Sequence, residues 1–243
     1  MTFPVVIPVH PKDADIFAEC VCSVQERVPE CSEIWTISKL PLGDFAWIPE
    51  SHFPFTLSSV ERLLPAGAGE CSRWYFQQLL KLWVAQGQPA LGPRWLQVDA
   101  DIVFQRTVRF TDDGGRALFS PYCDPHFHAP YFEHMARLVP GLKPQTSQSL
   151  IAHHVLYDRD ILGALFREIE DHHKRPWWVA YLTCVDPEWV TRSGAAENEL
   201  YSQYALWRFP ERVRVRPLWF QERKRYAPDP SLDFVSVQSY NRE

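Results

Sequence analysis

The sequence predicts an α/β fold with a mixed, mainly parallel central sheet flanked by helices, on three observations. Phe3 to Val9 is a short apolar, β-branched run, the mark of a strand buried on both faces. Ile16, Phe17, Cys20, Val21 and Val24 then recur at helical spacing, with Asp13 placed to cap the helix. Glu33 to Ser38 (Glu-Ile-Trp-Thr-Ile-Ser) follows as a second strand. Strand, helix, strand is how a parallel sheet opens, because parallel neighbours need a crossover.

Residues 40 to 70, rich in Pro, Gly and Ser, read as irregular, with at most a helical turn or two near Ser59 to Leu64. Ser72 to Gln86 is the clearest helix, stopped by Gly87 and Pro89. Trp95 to Val98 is a strand that runs into Asp99-Ala100-Asp101. Val103 to Phe110 and Ala117 to Ser120, parted by Asp112-Asp113-Gly114-Gly115, suggest an antiparallel excursion around a tight turn. Residues 121 to 147 read as a loop rich in His, Pro and aromatics. Ser149 to Tyr157 reads as a strand, and Asp158 caps a helix to about His172. Trp177 to Leu182 and Glu197 to Trp207 are further helices, and Val213 to Phe220 is a last strand before a polar tail. No internal repeat and no linker separates two cores, so the chain reads as one domain over 1–243.

Composition narrows the function. The 243 residues are 46% hydrophobic and 23% charged, which excludes a disordered chain. A net charge of −5 gives no global positive field for nucleic acid. No run approaches the ~18 apolar residues of a membrane span, and the N-terminal run is broken by Pro4 and Pro8 and has no basic leader, so a cytoplasmic protein is expected. Gly67 and Gly69 are followed at 72 by Ser, and no Gly-Lys-Ser/Thr occurs, so Rossmann and Walker phosphate loops are absent. Six scattered cysteines without a Cys-x-x-Cys pair read as reduced thiols.

Asp99 and Asp101 are two carboxylates one residue apart at a predicted strand end, where open α/β sheets bind ligands. Such a pair suits a divalent cation bridging phosphate oxygens. On the preceding helix, Trp74, Gln78, Lys81 and Ala85 line one face with Gln77 beside it, a polar patch on an otherwise apolar helix. Lys81 stands 18 residues before Asp99, well placed for a diphosphate. In the last helix Glu197 shares a face with Leu200, Tyr201 and Tyr204, while Glu199 lies about 200° away. Acids in a first helical turn are stabilised by the macrodipole. His126, His128 and His134 are read as loop-surface residues for want of a third partner at metal-site spacing.

Four motifs, Trp74 to Leu82, Val98-Asp99-Ala100-Asp101, His153 to Asp158 and Glu197-Asn198-Glu199-Leu200-Tyr201, resemble in order and spacing those of a group of bacterial and viral proteins related to GT-A-fold glycosyltransferases. The resemblance spans Val5 to about Trp219. It implies a GT-A-like, Rossmann-type catalytic domain with Mn²⁺ or Mg²⁺, a nucleotide-sugar donor, first of all a UDP-sugar, and a hydroxyl acceptor such as a glycan in polysaccharide biosynthesis. It implies that Asp99 touches the ribose or metal, that Asp101 binds the metal, and that Lys81, with Gln77 and Gln78, approaches the nucleotide. Glu197 becomes the acceptor-side carboxylate and forms the catalytic set with Asp101. His153 and His154 fall under the donor sugar, and Arg223 opens a mobile basic run, Arg223-Lys224-Arg225, for the diphosphate. Asn198 stands where many inverting relatives carry an aspartate base. The alternatives are a sugar nucleotidyltransferase, disfavoured because Pro8-Val9-His10-Pro11-Lys12 is not a glycine-rich loop, and a noncatalytic carbohydrate-binding or assembly protein.

Overall fold

The structure, a computed structural model, describes residues 1–10, 13–122 and 128–237. Its elements in chain order are β1 (Phe3–Pro8), α1 (Ala14–Arg27), β2 (Cys31–Ser38), β3 (Ala46–Pro49), α2 (Leu57–Leu63), α3 (Ser72–Gly87), β4 (Arg94–Val98), β5 (Ile102–Phe104), β6 (Ala117–Phe119), α4 (Ala129–Leu138), β7 (His154–Asp158), α5 (Arg159–His173), α6 (Trp177–Thr183), α7 (Glu197–Arg208), β8 (Val213–Val215), β9 (Phe220–Glu222) and β10 (Phe234–Ser236).

A five-stranded sheet in the order β3-β2-β1-β4-β7 forms the centre. β1, β2, β3 and β4 pair in parallel, and β7 closes the edge antiparallel to β4. β1 is buried at all six residues, as its unbroken apolar run requires of the central strand. Val6 pairs with Gln97, so the same register two residues on sets Pro8 beside Asp99. The carboxyl ends of β1 and β4 therefore open side by side.

Among the described residues, two small sheets accompany the central one. β10 lies between β5, antiparallel, and β9, parallel, while β6 pairs in parallel with β8. The expected strand from Val213 to Phe220 is thus two strands in different sheets, divided at Pro217, which has no N–H to give a ladder. The antiparallel excursion is reduced to one bridge, Thr111 to Ala117, around the turn closed by the Gly115 N–H on the Asp112 carbonyl. The tail expected to be polar carries β10, whose three residues are all buried.

Residues 121–147 are not all loop. α4 starts with Pro130 in its first turn, where the missing N–H costs nothing, and buries Phe132, His134, Met135 and Leu138 along one stripe. β3, with residues of intermediate exposure on the sheet edge, is a further strand in the Pro-rich stretch. Asp158 caps α5 as expected, accepting from the Asp160 and Ile161 N–H groups. Asp13 occupies the N-cap of α1 but makes no side-chain capping bond there.

Candidate active site

The site is assembled where α3 and α7 cross the carboxyl end of β4. Tyr75, Gln78 and Lys81 recur every three residues on α3 and grip the segment that leads into α7. The Tyr75 hydroxyl donates to the Val190 carbonyl (3.1 Å) and accepts from the Gly194 N–H (3.2 Å). The approach is close at Gly194, where a Cβ would stand 3.0 Å from Tyr75 Oη and from the Trp189 carbonyl and would press on both. Gln78 donates to the Ala195 carbonyl (3.2 Å) and accepts from the Tyr181 hydroxyl. Two residues later Glu197 enters α7, within reach of α3.

Lys81 Nζ lies 2.6 Å from Asp99 Oδ1 and 2.8 Å from Glu197 Oε1, with both the ammonium and the glutamate buried. Three motifs far apart in the chain meet at one nitrogen. Gln97, two residues before Asp99 and so on the same strand face, donates from Nε2 to Asp99 Oδ1 (3.0 Å). His153 holds Asp99 twice: its carbonyl accepts the Asp99 N–H (2.9 Å) and its Nδ1 lies 3.5 Å from Asp99 Oδ2. The other ring nitrogen, Nε2, is 3.2 Å from Glu222 Oε1 on β9, which also accepts from the Tyr122 hydroxyl (2.9 Å).

The electrostatics follow. Burial works against the Asp99 carboxylate, but the Lys81 ammonium and the His153 ring hold it well below the usual carboxylate range. Burial likewise opposes the Lys81 charge, and Asp99 and Glu197 outweigh it and raise its pKa. For His153, the hydrogen bonds to Asp99 and Glu222 overcome burial and push it up to about 9, so both ring nitrogens carry protons at neutral pH. Asp99, Glu197 and Glu222 thus stand around Lys81 and His153, with Asp101 near enough to act on the His153 ring.

The sequence leads one to expect a divalent cation at Asp99 and Asp101. Among the described residues no group of three or more His, Cys, Asp or Glu side chains converges to cage one unaided. Mg²⁺-like ions are commonly held by one or two carboxylates plus substrate phosphates. A cation at Asp99 and Asp101 would therefore have to arrive with a diphosphate, since no all-protein cage is formed among the described residues.

A cavity of about 720 Å³ opens between the ends of β1 and β2 and helix α3, lined by Leu80, the chain neighbour of Lys81, and by Pro8, the register neighbour of Asp99, but by no residue of the cluster itself. Pro8, Val9 and His10 line it from the end of β1, Trp74, Gln77 and Leu80 from α3, and Lys39, Glu50, Glu70 and Arg73 give it charge of both signs. Burial raises the pKa of Glu50, and Lys39 opposes that shift. The two adjacent glutamines, expected together on the donor, are separated by the helix: Gln77 lines this cavity, while Gln78 is buried with both ends of its amide bonded inside the protein.

Other expected site residues lie elsewhere. His154 points away from His153 into a box of Phe104, Phe110 and Phe234, and neither of its nitrogens makes a well-formed hydrogen bond. Burial pushes it down to about 3, so it is a neutral core residue. Arg223 is fastened within its own segment, 2.5 Å from Asp229 and bonded to Gln221 and the Ala227 carbonyl, instead of extending as a mobile arm. Tyr201 and Tyr204, which helical spacing puts on the face of Glu197, are buried, their hydroxyls bonded to the Asp158 N–H and to Glu168. Glu199 faces Ser149 and the Leu150 N–H, on the opposite side of α7 from Lys81. Asn198 accepts from the Tyr157 hydroxyl. His134 is buried in α4 with Nε2–H donating to the Tyr181 carbonyl, His128 contacts the Ser193 carbonyl, and His126 lies outside the described residues. Of the site's residues, sequence reasoning missed Gln97, Tyr122 and Glu222. Only Gln97 carried a signal, as a polar residue in an apolar strand two positions before Asp99.

Comparison with known proteins agrees at the level of the fold. A crystal structure of mouse Xyloside xylosyltransferase 1, apo form, is similar over 100% of both chains with a TM-score of 0.55 and 12% sequence identity. No curated protein matches the chain by sequence. The model of the family of unknown function DUF6492 matches residues 17–242, and the chain belongs to that family.

Proposed function

We propose that this chain is a glycosyltransferase that moves a sugar from a nucleoside-diphosphate sugar to a hydroxyl acceptor. The observation that carries the reading is the meeting of Lys81, Asp99 and Glu197 at the carboxyl end of a parallel strand, beside a cavity large enough for a nucleoside. The fold it shares with a xylosyltransferase supports the same reading.

In this reading the nucleoside lies in the cavity against Trp74 and Gln77, and the diphosphate reaches toward Lys81. A divalent cation held by Asp99, Asp101 and the diphosphate oxygens would offset the charge that grows on the leaving group. Lys81 and His153 keep Asp99 ionised and in place. In an inverting displacement the acceptor oxygen bonds to the anomeric carbon, the bond to the β-phosphate oxygen breaks, and Glu197 accepts the acceptor's proton.

A thermal-shift screen of UDP-, GDP-, CMP- and TDP-sugars with and without Mn²⁺ tests this, since a ligand that binds only the native state raises its stability. One class of nucleotide sugar is expected to raise the Tm in a Mn²⁺-dependent way. A rise with free glycans and with no nucleotide sugar contradicts the reading and favours a noncatalytic carbohydrate-binding protein.

A further inference from the structure

Asp99 is gripped by a residue whose own conformation is costly. His153 has φ 59°, a left-handed backbone that a non-glycine residue seldom adopts and keeps only where its surroundings over-determine it. In return, both its carbonyl and its ring reach the same aspartate. The far side of the ring is set by β9. Phe220 and Glu222, two apart and so on one strand face, meet it together: the Phe220 ring stands edge-on at 6.0 Å, and Glu222 Oε1 faces Nε2 at 3.2 Å. Both are anchored from behind. Phe220 stacks on Phe234 of β10 at 4.5 Å, Tyr122 packs edge-on against Phe220 at 5.3 Å, and the Tyr122 hydroxyl donates to Glu222.

We propose that Glu222, backed by Tyr122, is a positioning residue that aims the His153 imidazole and through it the Asp99 carboxylate for the donor's diphosphate. A strand near the end of the chain, with no motif of its own, thereby sets the geometry of the acidic pair on β4. The proposal rests on the glycosyltransferase reading for its ligand, but the chain of contacts from Glu222 to Asp99 can be read without one.

The test uses the full chain with Glu222→Gln, Tyr122→Phe, His153→Ala and the double variant Glu222→Gln/His153→Ala. UDP with Mn²⁺, and uridine alone, are titrated by calorimetry, and the imidazole N–H signals of His153 are followed by NMR without ligand. Glu222→Gln is expected to weaken Mn²⁺-dependent UDP binding by about tenfold, the lower end for a residue that orients a ligating group, and to leave uridine binding unchanged. In the His153→Ala background the same substitution should have no further effect, because its action passes through the ring. The Nδ1–H signal, on the Asp99 side, should shift in Glu222→Gln. Additive losses in the double variant, equal losses for UDP and uridine, or an unmoved Nδ1–H signal overturn the proposal. Should Glu222→Gln fold poorly, Tyr122→Phe carries the same expectations with a smaller effect. Should the unsubstituted chain bind none of the nucleotide sugars of the Mn²⁺ screen, with the ring signals responding, the glycosyltransferase reading and the donor role are overturned while the positioning of Asp99 stands.

Discussion

Glu197 and Asp99 share one ammonium, and that shared partner defines what each can do. A buried carboxylate stripped of its cation leaves an uncompensated charge, so the cluster is held as a unit. Within it Glu197 is the acid on the α7 side, free of the contacts to Gln97 and His153 that fix Asp99. Glu197→Gln keeps size and hydrogen bonding to Lys81 but removes the proton acceptor. Transfer should fall by about a hundredfold or more, the usual scale for a lost general base, with donor affinity close to the unsubstituted chain. Steady-state kinetics with calorimetric donor binding checks this, and turnover within a few fold would remove Glu197 from the proton transfer. Lys81, Asp99 and Glu197 were each singled out in the sequence because each sits in or at the end of a regular element with a strong signal, but their meeting at one ammonium was not read from it. Tyr122 and Glu222 were not singled out, since a lone Tyr after a short strand and a Glu beside a basic run carry no spacing that distinguishes them.

Helix α7 sorts its acids by face. Glu197 and Glu199 are about 200° apart on a regular helix, and the protein puts Lys81 against the first and Ser149 with the Leu150 N–H against the second. Glu199→Gln presents an amide N–H₂ to groups that need an acceptor, a mismatch worth roughly 1–3 kcal/mol in a buried site. Denaturant unfolding should register that loss, while turnover per folded molecule stays unchanged. A loss of turnover without a loss of stability would exchange the roles of the two glutamates. This division is readable from helical geometry, but the surroundings of Tyr201 and Tyr204 are not. Periodicity puts them on the face of Glu197, and only packing shows that the face turns inward to Asp158 and Glu168. The same limit applies to α4, whose Phe132, Met135 and Leu138 follow helical spacing but are diluted by proline, histidine and aromatic residues typical of loops. β10 escaped notice because a three-residue strand offers too short a pattern to separate from a tail.

Across the molecule, a central sheet of mainly parallel strands keeps its loops of chemistry at one end and its neutral polar groups in the core. His134 is one of these, pushed down to about 4 by burial. Its folded pKa lies below the value of about 6.5 for an exposed imidazole, so the unfolded chain binds the proton first. The stability it contributes is present in full above pH 6.5 and is lost as the pH falls from there toward 4, by about 3 kcal/mol. Denaturant midpoints at pH 7 and pH 4.5 should show this loss together with a similar one from His154, and His134→Gln, which keeps a donor for the Tyr181 carbonyl, should remove about half of it. An unchanged slope in that variant would assign the acid sensitivity to other groups, of which His154 is the next buried imidazole.

The glycosyltransferase reading depends most on Asp99 and Asp101 acting with a divalent cation on the donor's diphosphate. Calorimetric titration of Asp101→Asn with UDP, with and without Mn²⁺, tests this most directly, because the variant keeps the shape of the side chain and removes its charge. Mn²⁺-dependent affinity should be lost while the melting temperature holds near that of the unsubstituted chain. Unchanged Mn²⁺-dependent affinity would contradict the assignment of the acidic pair to the donor.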